Sequence, residues 1–268
     1  MSDFGLQSFA ASRREIAIAG KILEAYKNRT GIFEGYYSEA KNDIGLERGL
    51  YLNYITLTNV IDYEKYMDPN KLWKASKEWV KTCPWLFEPK QLFNKRVGVA
   101  VEVFRQIGQQ YSGIFRPKDI GVWLPAAEAL LRHGGDTITL LRSYRLDASE
   151  IFKAITTMSK TEFPIVSGSK TLPRWLRILW DDAEVPLKRM ESVPLPVDRS
   201  TAQATYKLIF RKQLKGFLDK RKKNEIELFW KQVAERLGVP LISFDAPLRF
   251  LGLSQKKLDL AVDLLGVA

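Results

Sequence analysis

Apolar residues recur along this chain at the three- and four-residue spacing of an amphipathic helix, with no series of alternating strands at regular spacing. In residues 7–26, Phe9, Ile16, Ile18, Ala19, Ile22 and Leu23 share a stripe, and Arg13, Arg14 and Lys21 lie off it. The Asn-Arg-Thr-Gly run at 28–31 ends that pattern. Residues 49–62, GLYLNYITLTNVID, are apolar almost all round. Their β-branched members would permit a strand, but the length and the lack of turn residues predict a buried helix. Asp68-Pro69-Asn70 is a start signal for a helix over 71–81. Further helices are expected over 94–111, 122–133, 137–144, 148–160, 171–182, 199–222 and 224–237. With no internal repeat of 20–50 residues, the pattern predicts an all-α protein of about ten helices joined by short Pro/Gly turns.

Composition narrows the chemistry. The chain has 268 residues, 46% hydrophobic and 12% aromatic, enough for a substantial core. Its 42 Lys and Arg against 31 Asp and Glu give +11, which points to an anionic partner. One cysteine, Cys83, excludes a disulfide framework or a Cys-ligated cluster built by this chain alone. One histidine, His133, disfavours His-based metal sites and Ser-His-Asp hydrolysis; beside Gly134-Gly135 it reads as a helix C-cap. No cofactor or metal is expected. No apolar stretch reaches the ~18 residues of a membrane span, and the first twenty residues lack an uninterrupted apolar run behind a basic start. An intracellular protein with no membrane partner is the expectation, with a monomer favoured.

The informative segment is 148–206. A predicted helix runs into Phe163-Pro164-Ile165-Val166-Ser167-Gly168-Ser169-Lys170, and another helix follows at once. A hairpin of this kind presents backbone N–H groups and a helix N-terminus, a ready site for phosphate. Farther on, Val193-Pro194-Leu195-Pro196-Val197-Asp198 forms a proline-stiffened loop that delivers one carboxylate to the start of the next helix.

These residues resemble the helix-hairpin-helix DNA glycosylase superfamily, which includes endonuclease III and the 8-oxoguanine glycosylases. Phe163-Pro164, Gly168-x-Lys170 and Pro196-Val197-Asp198 follow the order of its hallmark, L-P-G-h-G-x-K followed by P-V-D. The apolar helix at 52–62 is similar to the one that opens the family's central barrel. The family's four-Cys motif is absent, so the likeness is to a cluster-free branch.

The resemblance implies a DNA repair glycosylase with abasic-site lyase activity, acting on an oxidised base flipped from double-stranded DNA. Lys170 would be the nucleophile, with Lys153, Lys160 and Lys188 as fallback amines, and Asp198 its partner carboxylate. The amine must be neutral to attack C1′; desolvation and neighbouring Arg174, Arg177 or Lys188 would favour that form. Asp198 would stabilise positive charge on the sugar, and it is also a good helix N-cap in its own right. The alternative is a non-catalytic helix-hairpin-helix DNA- or RNA-binding protein, in which Lys170 contacts phosphate; a helical protein that meets an acidic partner is a third, weaker reading.

DNA contacts are expected from Gly168 and Ser169 of the hairpin and from Arg199, Lys207, Arg211, Lys212 and Lys215. The last four belong to a run, 207–223, whose charge is 8 − 1 = +7 and whose apolar members predict a helix that both docks and binds phosphate. Asn59 would fill the gap left in the duplex, and Trp123 or Phe244 would stack on the flipped base. The implied fold is two-lobed with a DNA-binding cleft: 1–48 packing with the C-terminal lobe, 49–170 forming a helical barrel that ends in the hairpin, and 171–268 forming that C-terminal lobe.

Overall fold

The computed structural model describes residues 11–34, 36, 38, 40–62, 69–95, 97–110, 117–157, 162–163 and 166–266, and among them there are helices and no strand. The α-helices are α1 (Arg13–Asn28), α2 (Arg48–Ile61), α3 (Pro69–Thr82), α4 (Pro89–Asn94), α5 (Val97–Gln110), α6 (Ile120–Arg132) and α7 (Thr137–Ser143). They continue with α8 (Ala148–Thr157), α9 (Thr171–Arg177), α10 (Arg199–Leu208), α11 (Lys220–Leu237), α12 (Asp245–Gly252) and α13 (Gln255–Leu265). The protein is all-α, as the periodicity predicts.

Local chemistry sets the ends of several helices. Ser12 and Glu15 form a reciprocal capping box that starts α1 at Arg13; the part of the expected stripe over 7–10, Phe9 included, lies outside the described residues. Arg29, in the left-handed conformation, closes the same helix where the Asn-Arg-Thr-Gly run predicts a break. Asp136 accepts from the Thr139 N–H and opens α7 after the Gly134-Gly135 turn, and His133 is the C-cap of α6. The helix expected over 171–182 is α helical to Arg177 and then widens into a π-helical turn, Ile178–Asp182.

The chain divides into two compact units, Tyr37–Met190 and the pair of segments Met1–Tyr36 and Glu191–Ala268. Residues 171–190 thus group with α2 and not with the C-terminal part, and so do 37–48. Side chains explain that grouping: Arg48 donates to the Ala183 carbonyl at 2.6 Å, and the Tyr51 hydroxyl donates to the Ala40 carbonyl at 2.9 Å.

In the first unit α2 is the axis. Every residue from Tyr51 to Ile61 is buried, which accounts for the nearly all-round apolar sequence. Helices α3, α6, α7 and α9 pack on it. Its polar residues are used internally. Asn53 accepts from the Thr137 N–H at 2.8 Å, and the Thr56 hydroxyl accepts from Trp175 Nε1 at 3.0 Å and from the Thr137 hydroxyl at 2.9 Å. That hydroxyl in turn donates to the Leu52 carbonyl. Three helices are joined through one threonine.

The second unit is built around α10, α11 and α12, with α1 and α13 against them. Trp230, fully buried, lies 4.5 Å from the Phe244 ring and donates to the Thr205 hydroxyl at 2.9 Å. Helices α10 and α12 meet backbone to backbone. A Cβ at Gly252 would sit 1.9 Å from the Ser200 carbonyl oxygen, so only glycine permits this approach.

Candidate functional site

Lys170 belongs to the Tyr37–Met190 unit and is the residue from which α9 starts. Ahead of it, Phe163 and Val166 are buried, and the Phe163 ring stacks on His133 at 6.3 Å. These anchors hold the loop, and the Gly168 carbonyl accepts the Leu172 N–H at 3.0 Å to begin the helix. Gly168 is half-buried, while Ser169 and Lys170 are exposed. Pro173 falls in the first turn of α9, where its missing N–H breaks no helical bond. Pro164 and Ile165 of the hairpin lie outside the described residues, as does Lys160.

The cations expected to tune that amine are placed differently from one another. Arg177 is buried on α9 and donates to Asp182 at 3.1 Å, with Asp181 at 3.7 Å. Burial pushes the Asp182 carboxyl up, and Arg177 pulls it back. The charge of Arg177 is thereby committed locally. Arg174 is also buried, whereas Lys153 and Lys188 are exposed; the backbone of Lys188 bridges to the 146–148 turn, donating to the Leu146 carbonyl and accepting from the Ala148 N–H.

Asp198 belongs to the other unit, at the head of α10. The approach is fixed by burial of Val193, Leu195, Pro196 and Val197, each of which is a proline or flanks one. Asp198 itself is half-buried, and its Oδ1 accepts the Thr201 N–H at 2.9 Å. The N-cap role expected from sequence is present. Arg199 follows at the first helical position, exposed. Because α10 is locked to α12 at Gly252, the position of this carboxylate is set by the core of its unit.

The basic run departs from expectation. A single helix over 199–222 is not formed: α10 ends at Leu208, α11 starts at Lys220, and 209–219 is non-helical. Arg211 and Gly216 take φ values of 54° and 70°, and Asp219 caps a new helix by accepting the Lys222 N–H at 2.8 Å. Gly216 and Asp219 are turn and cap residues, the signal in the sequence that this break carried. Lys207 remains on α10 and pairs with Asp259 of α13 at 3.3 Å. Arg211, Lys212 and Lys215 are exposed in the loop. Arg211 and Lys212 line a cavity of about 390 Å³ together with Arg14, Glu15, Tyr206 and Glu225.

Phe217, expected on an apolar docking face, is 91% exposed. No periodicity places it there; the loop does. Three other expected contacts are interior residues. Asn59 is 1% exposed and its Nδ2 is without a hydrogen-bond partner, so it does not stand at a surface where a duplex gap would be filled. Trp123 is fully buried, donating to the Leu86 carbonyl at 3.2 Å, and Phe244 is fully buried against Trp230. Neither presents a face to a flipped base.

A second cavity in the Asp198 unit, about 640 Å³, is lined by Glu191, Glu227, Glu235 and Lys231 over a floor of Val193, Pro194 and Leu241. Burial pushes the Glu227 carboxyl up against the pull of Lys231. Among the described residues no group of three His, Cys, Asp or Glu is placed to hold a metal ion, and no helix is long and apolar enough to cross a membrane.

No protein-family model matches the chain, and no curated protein is similar to it at a significant level.

Proposed function

We propose that this protein is a DNA glycosylase with abasic-site lyase activity, taking an oxidised base from a flipped nucleotide of double-stranded DNA. The observation that carries the reading is that Lys170 stands at the head of a helix, directly behind an anchored Gly-containing turn, as the nucleophile of the helix-hairpin-helix glycosylases does. Asp198, held as the cap of α10 at the end of a proline-stiffened loop, supports it. Exposed Ser169, Arg199, Arg211, Lys212 and Lys215 supply cations and polar groups suited to phosphate.

In this chemistry the neutral Lys170 amine attacks C1′, and the glycosidic bond breaks with its electron pair leaving on the base. Asp198 stabilises the positive charge that develops on the sugar. Opening of the ring gives a protonated Schiff base; loss of the C2′ proton then expels the 3′ phosphate and nicks the strand. Exposure of Lys170 means that closure on DNA must remove water from the amine before it can act.

The same exposure favours a second reading, a non-catalytic helix-hairpin-helix DNA- or RNA-binding protein in which Lys170 contacts phosphate as a cation. Borohydride trapping on duplexes that contain an abasic site or 8-oxoguanine separates the two. A covalent adduct that Lys170→Gln abolishes supports the lyase. An adduct that survives Lys170→Gln moves the nucleophile elsewhere. No adduct and no base release across a panel of lesions leaves the binding protein.

A further inference from the structure

We infer that the loop 209–219 is a base-stacking element, in which Phe217 lies against an unpaired nucleobase while the cations around it hold the flanking phosphates. This rests on the nucleic-acid part of the reading above and not on its catalytic part.

Phe217 is the anomaly that motivates it. A phenyl ring 91% exposed leaves its whole apolar face in water, which burial against a partner would relieve. The ring is also held out by design of the loop. Gly216 turns the chain with φ 70°, a conformation that disfavours a side chain, and a Cβ there would meet nothing within 4 Å. Behind the tip, Lys222 Nζ donates to the Lys215 carbonyl at 3.1 Å and to the Phe217 carbonyl at 2.7 Å. Asp219 caps α11 through the Lys222 N–H. The backbone at Phe217 is thus tied to the first turn of a helix, so little ordering remains to be done when a partner arrives.

Charge and shape choose the partner. Residues 211–223 hold Arg211, Lys212, Lys215, Lys220, Arg221, Lys222 and Lys223 against Asp219, a local charge of 7 − 1 = +6. That is complementary to a polyanion. Leu214 and Leu218, the apolar neighbours of the ring, are half-buried and pack on the core of their own unit. Within the loop 209–219 one apolar side chain alone therefore faces outward. An anionic membrane or an apolar protein groove would take several apolar side chains at once; a base needs one flat face, with cations on either side for its phosphates.

Fluorescence anisotropy with a labelled oligodeoxythymidine strand, and with a duplex of the same length, tests this across a salt series. Phe217→Ala is expected to weaken strand binding by about tenfold, with the salt slope unchanged. Phe217→Tyr, which keeps a stacking face, is expected to restore it to within about twofold. Lys215→Gln with Lys220→Gln is expected to flatten the salt slope by about 1.4. Circular dichroism melts check that each variant is folded, and an exposed ring gives Phe217→Ala no route to unfolding. Strand binding by Phe217→Ala equal to that of the wild type overturns the inference, as does a Phe217 dependence confined to phosphatidylserine vesicles. If wild type binds neither DNA, the nucleic-acid reading falls with it. Borohydride trapping separates the remaining cases: Phe217-dependent binding without an adduct removes the lyase and leaves the stacking loop, and an adduct with Phe217-independent binding does the reverse.

Discussion

Trp175 Nε1 donates to the Thr56 hydroxyl at 3.0 Å in the interior of the Tyr37–Met190 unit. The bond ties α9, and with it the turn that carries Lys170, to the buried axis helix. The same hydroxyl accepts from Thr137 and donates to Leu52, so its capacity is fully used. Thr56→Val keeps the shape and removes the acceptor, stranding the Trp175 N–H and the Thr137 hydroxyl in an apolar interior. A loss of about 2–4 kcal/mol is expected, near the sum of two orphaned groups. Urea unfolding monitored by tryptophan fluorescence measures it, and Thr56→Ser, which keeps the oxygen, should recover most of the difference.

Gly252 and Ser200 make the corresponding joint beneath Asp198. A methyl at 252 would sit 1.9 Å from a carbonyl oxygen, and backbone cannot yield as a flexible side chain does. Gly252→Ala is expected to destabilise by at least about 3 kcal/mol through separation of α10 from α12. Gly238→Ala makes an informative contrast. Its Cβ would meet nothing within 4 Å, so only the φ of 64° is strained, and a cost of about 1 kcal/mol is expected. A thermal melt of the two variants side by side decides between steric and conformational causes.

How much of this was legible in the sequence differs by kind of feature. The helical class, the buried α2 and the cap at Asp198 follow from local rules: all-round apolarity, a carboxylate before a helix, an unbroken 3.6-residue stripe. Asn59 shows where the family likeness stops: the likeness implied a residue that fills a gap in the duplex, and α2 is buried on every side along 51–61. Trp123 and Phe244 are alike in this respect; an aromatic's depth is decided by which helices meet over it. The break at 209–219 was carried by Gly216 and Asp219 but masked by the helical spacing of the apolar residues on either side, and it is what leaves Phe217 in water. The relation of Lys170 to Asp198 rests on order along the chain.

Asp198 has two duties under the proposed chemistry, and they come apart by substitution. Asp198→Asn keeps an oxygen to accept the Thr201 N–H, so stability should hold to within about 0.5 kcal/mol. Its carboxylate charge is gone, and base release together with borohydride trapping should fall by about a hundredfold or more. Asp198→Ala loses the cap as well, at about 1 kcal/mol. Equal activity in Asp198→Asn and wild type, with both folded, would leave Asp198 as a cap and nothing else.

Glu227 offers a pH signature within the Asp198 unit. It lines the cavity of Glu191, Glu235 and Lys231, and burial raises its carboxyl above the usual range, with Lys231 opposing. The folded protein therefore holds the Glu227 proton more tightly than the unfolded chain does. Stability from this group is present below the unfolded carboxylate range and is lost as pH rises through it to the higher folded value. Glu227→Gln, which cannot ionise, should be more stable than wild type at neutral pH, and the gap should close as pH is lowered through the carboxylate range. Melting temperatures of both proteins from acid to neutral pH give the comparison. A gap that widens in acid would mean that the pairing with Lys231 outweighs burial, and that the cavity favours the charged carboxylate.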